Sequence, residues 1–131
     1  MGVRGAGGVF GGGGGGGGSS APAFKNSVTD AAPGTNVNNY APAGYVAGTT
    51  NRILVTAAVG GTTFTGLLAA TNGWTVYIKN QSTTDNLSFL HLSGASLAAN
   101  QFSCPQGVPV VLPPLTGGLF TYTVDHWDVA S

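Results

Sequence analysis

The clearest alternation of apolar and polar positions lies in residues 73–92, GWTVYIKNQSTTDNLSFLHL. Trp74, Val76 and Ile78 fall on one face of an extended segment, because successive side chains of a strand point to opposite sides. Residues 80–86 are all polar and rich in Asn, Ser, Thr and Asp, which is typical of a turn. A second alternating run follows this turn. The stretch therefore predicts a β-hairpin at the centre of a β-sandwich.

Short apolar or alternating runs of strand length also occur before and after this hairpin. Asn72-Gly73 marks a tight turn, and residues 94–100 predict a connection that contains a short helical turn. The further predicted strands are residues 52–58, 62–68, 101–104, 108–112, 119–124 and 126–129. Such closely spaced short strands predict an all-β fold over residues 51–131, an antiparallel β-sandwich of the jelly-roll type.

The first fifty residues lack this alternation and divide into two segments. Residues 1–20 are Gly-rich, with an unbroken run from Gly11 to Gly18, and residues 21–50 are rich in Pro, Asn and Ala. The prolines of the second segment exclude a helix. Because a long structureless stretch is uncommon inside a compact domain, the second segment is predicted to be an extended arm that lies on its own or a neighbouring subunit.

An assembly role is predicted for these two segments. Glycine lets backbones pack where no side chain fits, so the glycine run indicates an ordered contact between chains. The ordinary alternative is a flexible linker. Apolar and aromatic residues before and after the run supply anchors. The predicted assembly residues are Val9, Phe10, Gly11, Gly18, Phe24, Tyr40 and Tyr45.

Charged residues are scarce over the whole chain. Four basic and four acidic residues make up 6% of the sequence, whereas ordinary soluble domains carry about 25%. A surface this neutral predicts extensive contact with other chains, and the alternative is a small soluble β-protein rich in Thr and Ser. The lack of a basic run argues against nucleic-acid binding and against a polybasic membrane anchor.

One stretch, DHWD at residues 125–128, contains candidate metal ligands. In a strand, His126 and Asp128 share one face and Asp125 lies on the other, so neither face gathers the three or four ligands that zinc needs. The sequence around Ser96 lacks the second glycine of a G-x-S-x-G nucleophile elbow. No catalytic residue, metal site or cofactor is therefore predicted, and an enzyme is the least favoured class.

A carbohydrate-binding surface is a different class of function that the aromatic residues allow. Core or interface positions are the more common place for such residues. The aromatic residues considered are Tyr40, Tyr45, Tyr77, Tyr122, Trp74 and Trp127.

From about residue 38 onward, an ordered series of short motifs resembles a β-domain of virion proteins of tailed bacteriophages, including fibre and head-decoration proteins. Gln101 stands where that pattern has a basic residue, and Pro114 stands where it has glycine. The motifs are residues 39–44 (NYAPAG), 65–67 (TGL), 76–80 (VYIKN), 90–92 (LHL), 93–96 (SGAS), 98–102 (AANQF), Pro105 with Gly107, 111–114 (VLPP), and Tyr122 with Trp127.

This resemblance implies a non-enzymatic, homotrimeric virion protein that is assembled in the host cytoplasm. Its implied partners are the major capsid protein or other virion proteins. The small size favours a capsid decoration or cement protein, which stabilises the shell by contacts between subunits. The alternatives are a short fibre, neck or tail component attached through its N-terminus, or a carbohydrate-binding module.

Overall fold

The computed structural model describes residues 26–130, and this part of the chain is built from short strands and two 3-10 turns, Ala98–Asn100 and Pro105–Gly107. The all-β prediction is confirmed, and the first of these turns lies in the connection where a helical turn was predicted. The strands are β1 (Ser27–Asp30), β2 (Asn36–Val37), β3 (Arg52–Val55), β4 (Thr62–Phe64), β5 (Thr75–Asn80), β6 (Leu87–Phe89), β7 (Phe102–Ser103), β8 (Val110–Leu112), β9 (Gly117–Thr123) and β10 (His126–Val129).

From β1 to β9, consecutive strands alternate between two mixed sheets. The six-stranded sheet has the order β1-β3-β5-β9-β10-β7, and the four-stranded sheet has the order β2-β4-β6-β8. The first three strands of each sheet run parallel to one another. Antiparallel pairing joins β5 to β9, β9 to β10 and β6 to β8.

This alternation winds the chain into a β-solenoid-like stack of coils. Ser27, Arg52 and Tyr77 occupy equivalent positions on β1, β3 and β5, and the first of these steps is 25 residues. Phe64 and Phe89 align in the same way on β4 and β6. After the third coil, β8 and the β9–β10 hairpin continue the two sheets, so the parallel stack ends in antiparallel strands.

The core lies between the two sheets and consists of aliphatic and aromatic side chains. On β5, Val76 and Ile78 point inward and are buried, as the period of two along a strand requires. Phe89 of the four-stranded sheet contacts Phe120 of the six-stranded sheet, with 4.7 Å between ring centroids. Trp127 is among the largest fully buried side chains. These contacts hold the sheets together and leave the outward faces for other interactions.

The predicted central hairpin is wrong. β5 and β6 lie in different sheets, and the polar residues between them turn the chain around a corner of the coil. The side-chain amide of the buried Asn80 fixes this corner: its Nδ2 donates to the backbone oxygens of Asp85 at 2.7 Å and Leu112 at 3.1 Å, and its Oδ1 accepts from Ser82 N at 3.0 Å. The antiparallel pairing predicted throughout for a jelly roll joins, among the described strands, β5 to β9, β9 to β10 and β6 to β8, whereas the first three strands of each sheet are parallel.

The described part of the predicted arm, residues 26–50, supplies β1 and β2, which are end strands of the two sheets. Backbone hydrogen bonds tie this part to the next coil, including Tyr40 N to Gly66 O at 2.8 Å. The division of the chain into residues 1–20, 21–50 and 51–131 stays a prediction.

Candidate functional site

The outward face of the six-stranded sheet brings two positive charges and a tyrosine together. Arg52 on β3 and both Tyr77 and Lys79 on β5 point outward, because they alternate with the buried Ile53 and Ile78. Arg52 and Tyr77 are direct neighbours across the parallel strands, and Lys79 is the next outward residue along β5. All three residues are half-buried. We call them the Arg52–Tyr77–Lys79 cluster.

Tyr77 lies along the surface of the sheet rather than standing away from it. Its phenol end occupies the space above Gly117 on β9, where an added Cβ would overlap the ring and the hydroxyl group. Leu119, also on β9, is the direct neighbour of Tyr77 in register. The glycine therefore makes room for an aromatic side chain on an otherwise polar and aliphatic face.

The positive charges of the cluster are not neutralised by ion pairs within the described residues. Arg52 Nε donates to Ser27 Oγ at 2.6 Å, which ties the guanidinium group to β1. Within residues 26–130, the ion pairs both belong to His126, and neither Arg52 nor Lys79 contacts a carboxylate. The cluster can therefore offer two cationic groups to an anion.

A second polar cluster lies at the turn between β9 and β10. His126 Nδ1 is 2.7 Å from Asp125 Oδ1, and His126 Nε2 is 3.0 Å from Asp128 Oδ1. Thr123 Oγ1 donates to the other oxygen of Asp128 at 2.9 Å. The hydrogen bond to Asp125 raises the pKa of His126 above its usual value, and Asp128 acts in the same direction. This arrangement favours the imidazolium form, because both ring nitrogens then donate to carboxylates.

The geometry of this turn differs in one respect from the prediction for the DHWD stretch. Asp125 precedes β10, which begins at His126, and its carboxylate reaches the imidazole ring despite the strand alternation. No group of three or more His, Cys, Asp or Glu side chains in residues 26–130 is placed to hold a metal ion. Within this part of the chain, the carboxylates of the DHWD stretch serve as hydrogen-bond partners of His126.

Two of the predicted assembly residues lie in the described part, and both are packed against the molecule itself. Tyr40 is buried and donates its hydroxyl to Asp30 Oδ2 at 2.7 Å; burial and this carboxylate raise the Tyr40 pKa strongly. Tyr45 is partly buried and donates to Leu68 O at 3.1 Å, and burial raises its pKa to about 12. The other assembly residues lie outside the described residues, and their role stays a prediction: Val9, Phe10, Gly11, Gly18 and Phe24.

The structure separates the aromatic residues that were considered for a sugar-binding surface. Three are core residues and two are partly buried against the core, whereas Tyr77 lies on the outward face. The core residues are Tyr40, Tyr122 and Trp127, and the partly buried ones are Tyr45 and Trp74.

Sequence analysis missed Arg52 and Lys79 as site residues. Each occupies an outward position of an alternating strand, RILV or TVYIKN, so its exposure was predictable. Their proximity depends on the parallel pairing of β3 with β5. The 25-residue spacing between equivalent coil positions is the signal that could have placed them together.

Several exposed apolar side chains occupy turns with left-handed backbone. Leu92, Leu115 and Val124 have φ angles of 41°, 62° and 54°, and they are 51%, 56% and 76% exposed. Left-handed backbone costs such residues on the order of 1–3 kcal/mol, and Gly or Asn would adopt it more easily. These side chains therefore combine backbone strain with exposure within the described part. We call them the strained apolar tips.

A shallow, mainly apolar groove lies beside β8. Its volume is about 440 Å³. Val108 and Val111 in its lining are 59% and 45% exposed. The lining contains no ionisable side chain, so the groove suits apolar contact rather than chemistry. It is formed by Pro105, Gln106, Val108, Pro109, Val110 and Val111.

Comparison of the chain with protein-family models, with curated proteins and with solved structures finds no match. Within residues 26–130 there is no helix of the length and apolar character that crossing a membrane requires. The function is therefore argued from the fold, the surface and the two polar clusters.

Proposed function

We propose that the chain is a structural protein of a bacteriophage particle, a homotrimeric capsid decoration or cement protein that stabilises the shell through contacts between subunits. The observation that supports this role most directly is a surface with few charges and with strained apolar tips at Leu92, Leu115 and Val124. Exposed apolar side chains lower the solubility of a free monomer, and their burial by a partner stabilises the resulting complex.

A non-enzymatic role agrees with how the polar side chains are used. The buried polar groups hold corners and loops: Asn80 fixes the corner after β5, and Ser96 Oγ accepts from Asn39 N at 2.8 Å. The His126 side chain is held between two carboxylates at a turn. Rigid corners of this kind suit a protein whose task is to present a fixed surface.

The proposed partners are the major capsid protein and further copies of this chain, and the proposed location is the virion after assembly in the host cytoplasm. The ordered motifs that resemble phage virion β-domains support this assignment. A short fibre, neck or tail component, attached through its N-terminus, is the alternative of the same class.

The deciding experiment is an electron cryomicroscopy reconstruction of the particle that incorporates this chain. The decoration role predicts density for the protein at threefold or quasi-threefold positions of the capsid, in many copies. A position at the neck or tail in few copies would overturn the decoration role in favour of the alternative. Absence from purified particles would overturn both.

A carbohydrate-binding function is the second candidate, because the outward face of the six-stranded sheet carries Arg52 and Lys79, which form no ion pair within residues 26–130. This candidate needs a test of its own, since a particle protein can also bind a glycan.

A further inference from the structure

We propose that the end of the stack formed by β1 and β2 is a docking surface for residues 1–25 of the same chain, which lie outside the described residues. In this arrangement the segment adds one more coil, with Val3 against Val28 and Phe10 against Val37. The inference is independent of the decoration role, because it concerns how the stack is closed. It rests on the burial at this end, on the strand edges there and on a repeat in the sequence.

The end formed by β1 and β2 buries its inward side chains less completely than the coils behind it. Val28 is only partly buried, whereas Ile53 and Ile78 at the equivalent positions of β3 and β5 are 0% and 1% exposed. Val37 on β2 is also partly buried, whereas the aligned phenylalanines of β4 and β6 are fully buried. The inward residues of β8, at the opposite end of the four-stranded sheet, are buried. Stacked repeats need a cap at such an open end.

Both strands at this end also present a backbone edge. β1 and β2 stand first in the strand order of their sheets, so each has one strand neighbour among the described residues. Thr56 N donates to Asp30 O at 3.0 Å, which directs the backbone groups of Asp30 toward β3. Because backbone groups alternate in direction along a strand, the N–H of Thr29 points away from β3. An edge of this kind can accept a further strand.

The apolar positions of the repeat continue into residues 1–25. The six-stranded sheet repeats at 25 residues, and one such step back from Val28 reaches Val3. In the four-stranded sheet, Val37 is aligned with Phe64 at a step of 27 residues, and the same step back from Val37 reaches Phe10. A β-branched residue and an aromatic residue therefore stand where a further coil needs them, as in other repeat architectures.

The composition of residues 5–24 suits an apolar end of this kind. These residues include no charged side chain, so covering the end with them would bury no ion. The run from Gly11 to Gly18 lies in a connection from Phe10 to β1 that is longer than the connection from β4 to β5, and glycine imposes no side chain on its path. A second copy placed end to end is the competing occupant, but it does not account for the repeat that reaches Val3 and Phe10.

The first test measures thermal unfolding of the full chain with Phe10→Ser, and Val9→Ser is the matched control. In the added coil Phe10 points inward, and Val9 points outward because successive side chains of a strand alternate. Phe10→Ser should lower the melting temperature by about 5–10 °C, since the burial of an aromatic side chain is lost. Val9→Ser should lower it by less than about 2 °C. Equal shifts in the two variants, or a larger loss in Val9→Ser, would overturn the proposal.

A pair of introduced cysteines tests the register and identifies the chain that supplies the coil. Aligned residues on neighbouring strands are about 4.8 Å apart, which a disulfide can span. The variant Phe10→Cys/Val37→Cys should form a disulfide within one chain on mild oxidation, seen as a faster monomer band on a non-reducing gel. Val9→Cys/Val37→Cys should not form it, and the native Cys104 is buried in both variants. A disulfide-linked dimer would assign the end to a second copy and overturn the proposal.

Amide hydrogen exchange at Thr29 gives a readout that does not depend on overall stability. Its N–H should exchange slowly in the parent, because it pairs with the added strand, and at least about tenfold faster in the double variant Val3→Ser/Phe10→Ser. Exchange in the parent at the rate of an unstructured peptide would overturn the proposal, and so would equal rates in parent and variant. None of these results bears on the position of the protein in a particle, which the reconstruction decides separately.

Discussion

Single residues control stability where the backbone of one coil comes close to a neighbouring loop. Gly66 is the clearest case in the described part. A Cβ added there would lie 2.6 Å from Ser96 Oγ and 2.7 Å from the carbonyl oxygen of Asn100. Because its φ is not left-handed, glycine is required by the available space and not by the backbone conformation.

Replacing Gly66 by Ala should therefore lower the free energy of unfolding by roughly 1–3 kcal/mol, because the backbone of Asn100 must move to accept the methyl group. Urea denaturation monitored by circular dichroism measures the change. Gly94→Ala is the matched control, since a Cβ at Gly94 meets no atom within 4 Å, and it should change stability by less than about 0.5 kcal/mol. Equal losses in the two variants would contradict the steric explanation.

Asn80 is a second residue with a large expected effect. It is fully buried, and its side chain satisfies three backbone groups at the corner after β5. Asn80→Ala should cost roughly 2–4 kcal/mol, because those groups lose their partners in a place that water does not reach. Asn72→Ala removes one hydrogen bond at an exposed turn and should cost less. If Asn80→Ala and Asn72→Ala have the same denaturation midpoint, the prediction is wrong and other contacts hold the corner.

At the scale of elements, the alternation of apolar and polar residues located most strands of the described part to within a few residues. The strands could be located in this way because the alternation depends only on which side of a strand faces the core. It does not identify the partner strand, since a hairpin and a coil corner have the same pattern on either side of a polar turn. That is why β5 and β6 were expected to pair with each other.

The missing information was present in the spacing of the inward residues. Val28, Ile53 and Ile78 are equivalent positions on β1, β3 and β5. A period of 25 residues indicates stacked coils, as repeat architectures generally do. The same period places Arg52 beside Tyr77 and so predicts part of the candidate site. The lie of Tyr77 over Gly117 depends on the later antiparallel strand β9, which lies outside the repeat and could not be placed by it.

The β9–β10 turn should make stability depend on pH. The folded-state pKa of His126 lies above its usual value of 6.5, so the stabilisation by Asp125 and Asp128 is fully present below about pH 6.5 and is lost as pH rises through the folded-state pKa. Because these carboxylates are exposed, the effect should stay below about 1 kcal/mol.

Urea denaturation of the parent and of His126→Gln at a series of pH values measures this effect. The parent should lose stability relative to the variant as pH rises above about 6.5. A parent that gains stability relative to the variant over that range would show that the carboxylates do not favour the imidazolium form.

At the scale of the whole molecule, the few charges and the strained apolar tips together predict association. Sedimentation of the purified protein at micromolar concentration should show an oligomer, for which we propose a trimer. The double variant with Leu115→Asn and Val124→Asn should shift it toward monomer, while the variant monomer becomes more stable because Asn relieves the left-handed backbone. Val59→Asn removes an exposed side chain that has no such strain, so it should not stabilise the monomer. A monomeric parent would contradict the prediction.

The run from Gly11 to Gly18 gives a prediction that lies outside the described residues. If it is a packed element of assembly, replacing alternate glycines by Val should impair oligomer formation and heat resistance strongly, and replacing them by Ser should do so weakly. A simple tether would tolerate both changes. Comparing the melting temperatures and sedimentation of the two variants decides between these readings, and a Val variant that matches the parent would rule out packing.

The coil stack has a consequence for how such a protein can change its size. Neighbouring strands of a sheet are about 4.8 Å apart, so duplicating one coil of 25 residues would lengthen the molecule by one strand spacing. The new coil would meet its neighbours through the same inward residues, because Val28, Ile53 and Ile78 already stack on one another. A jelly roll has no such freedom, since an inserted strand breaks its pairing order. In this architecture the length of the stack can therefore change in steps of one coil, and the sequences at its two ends need not change.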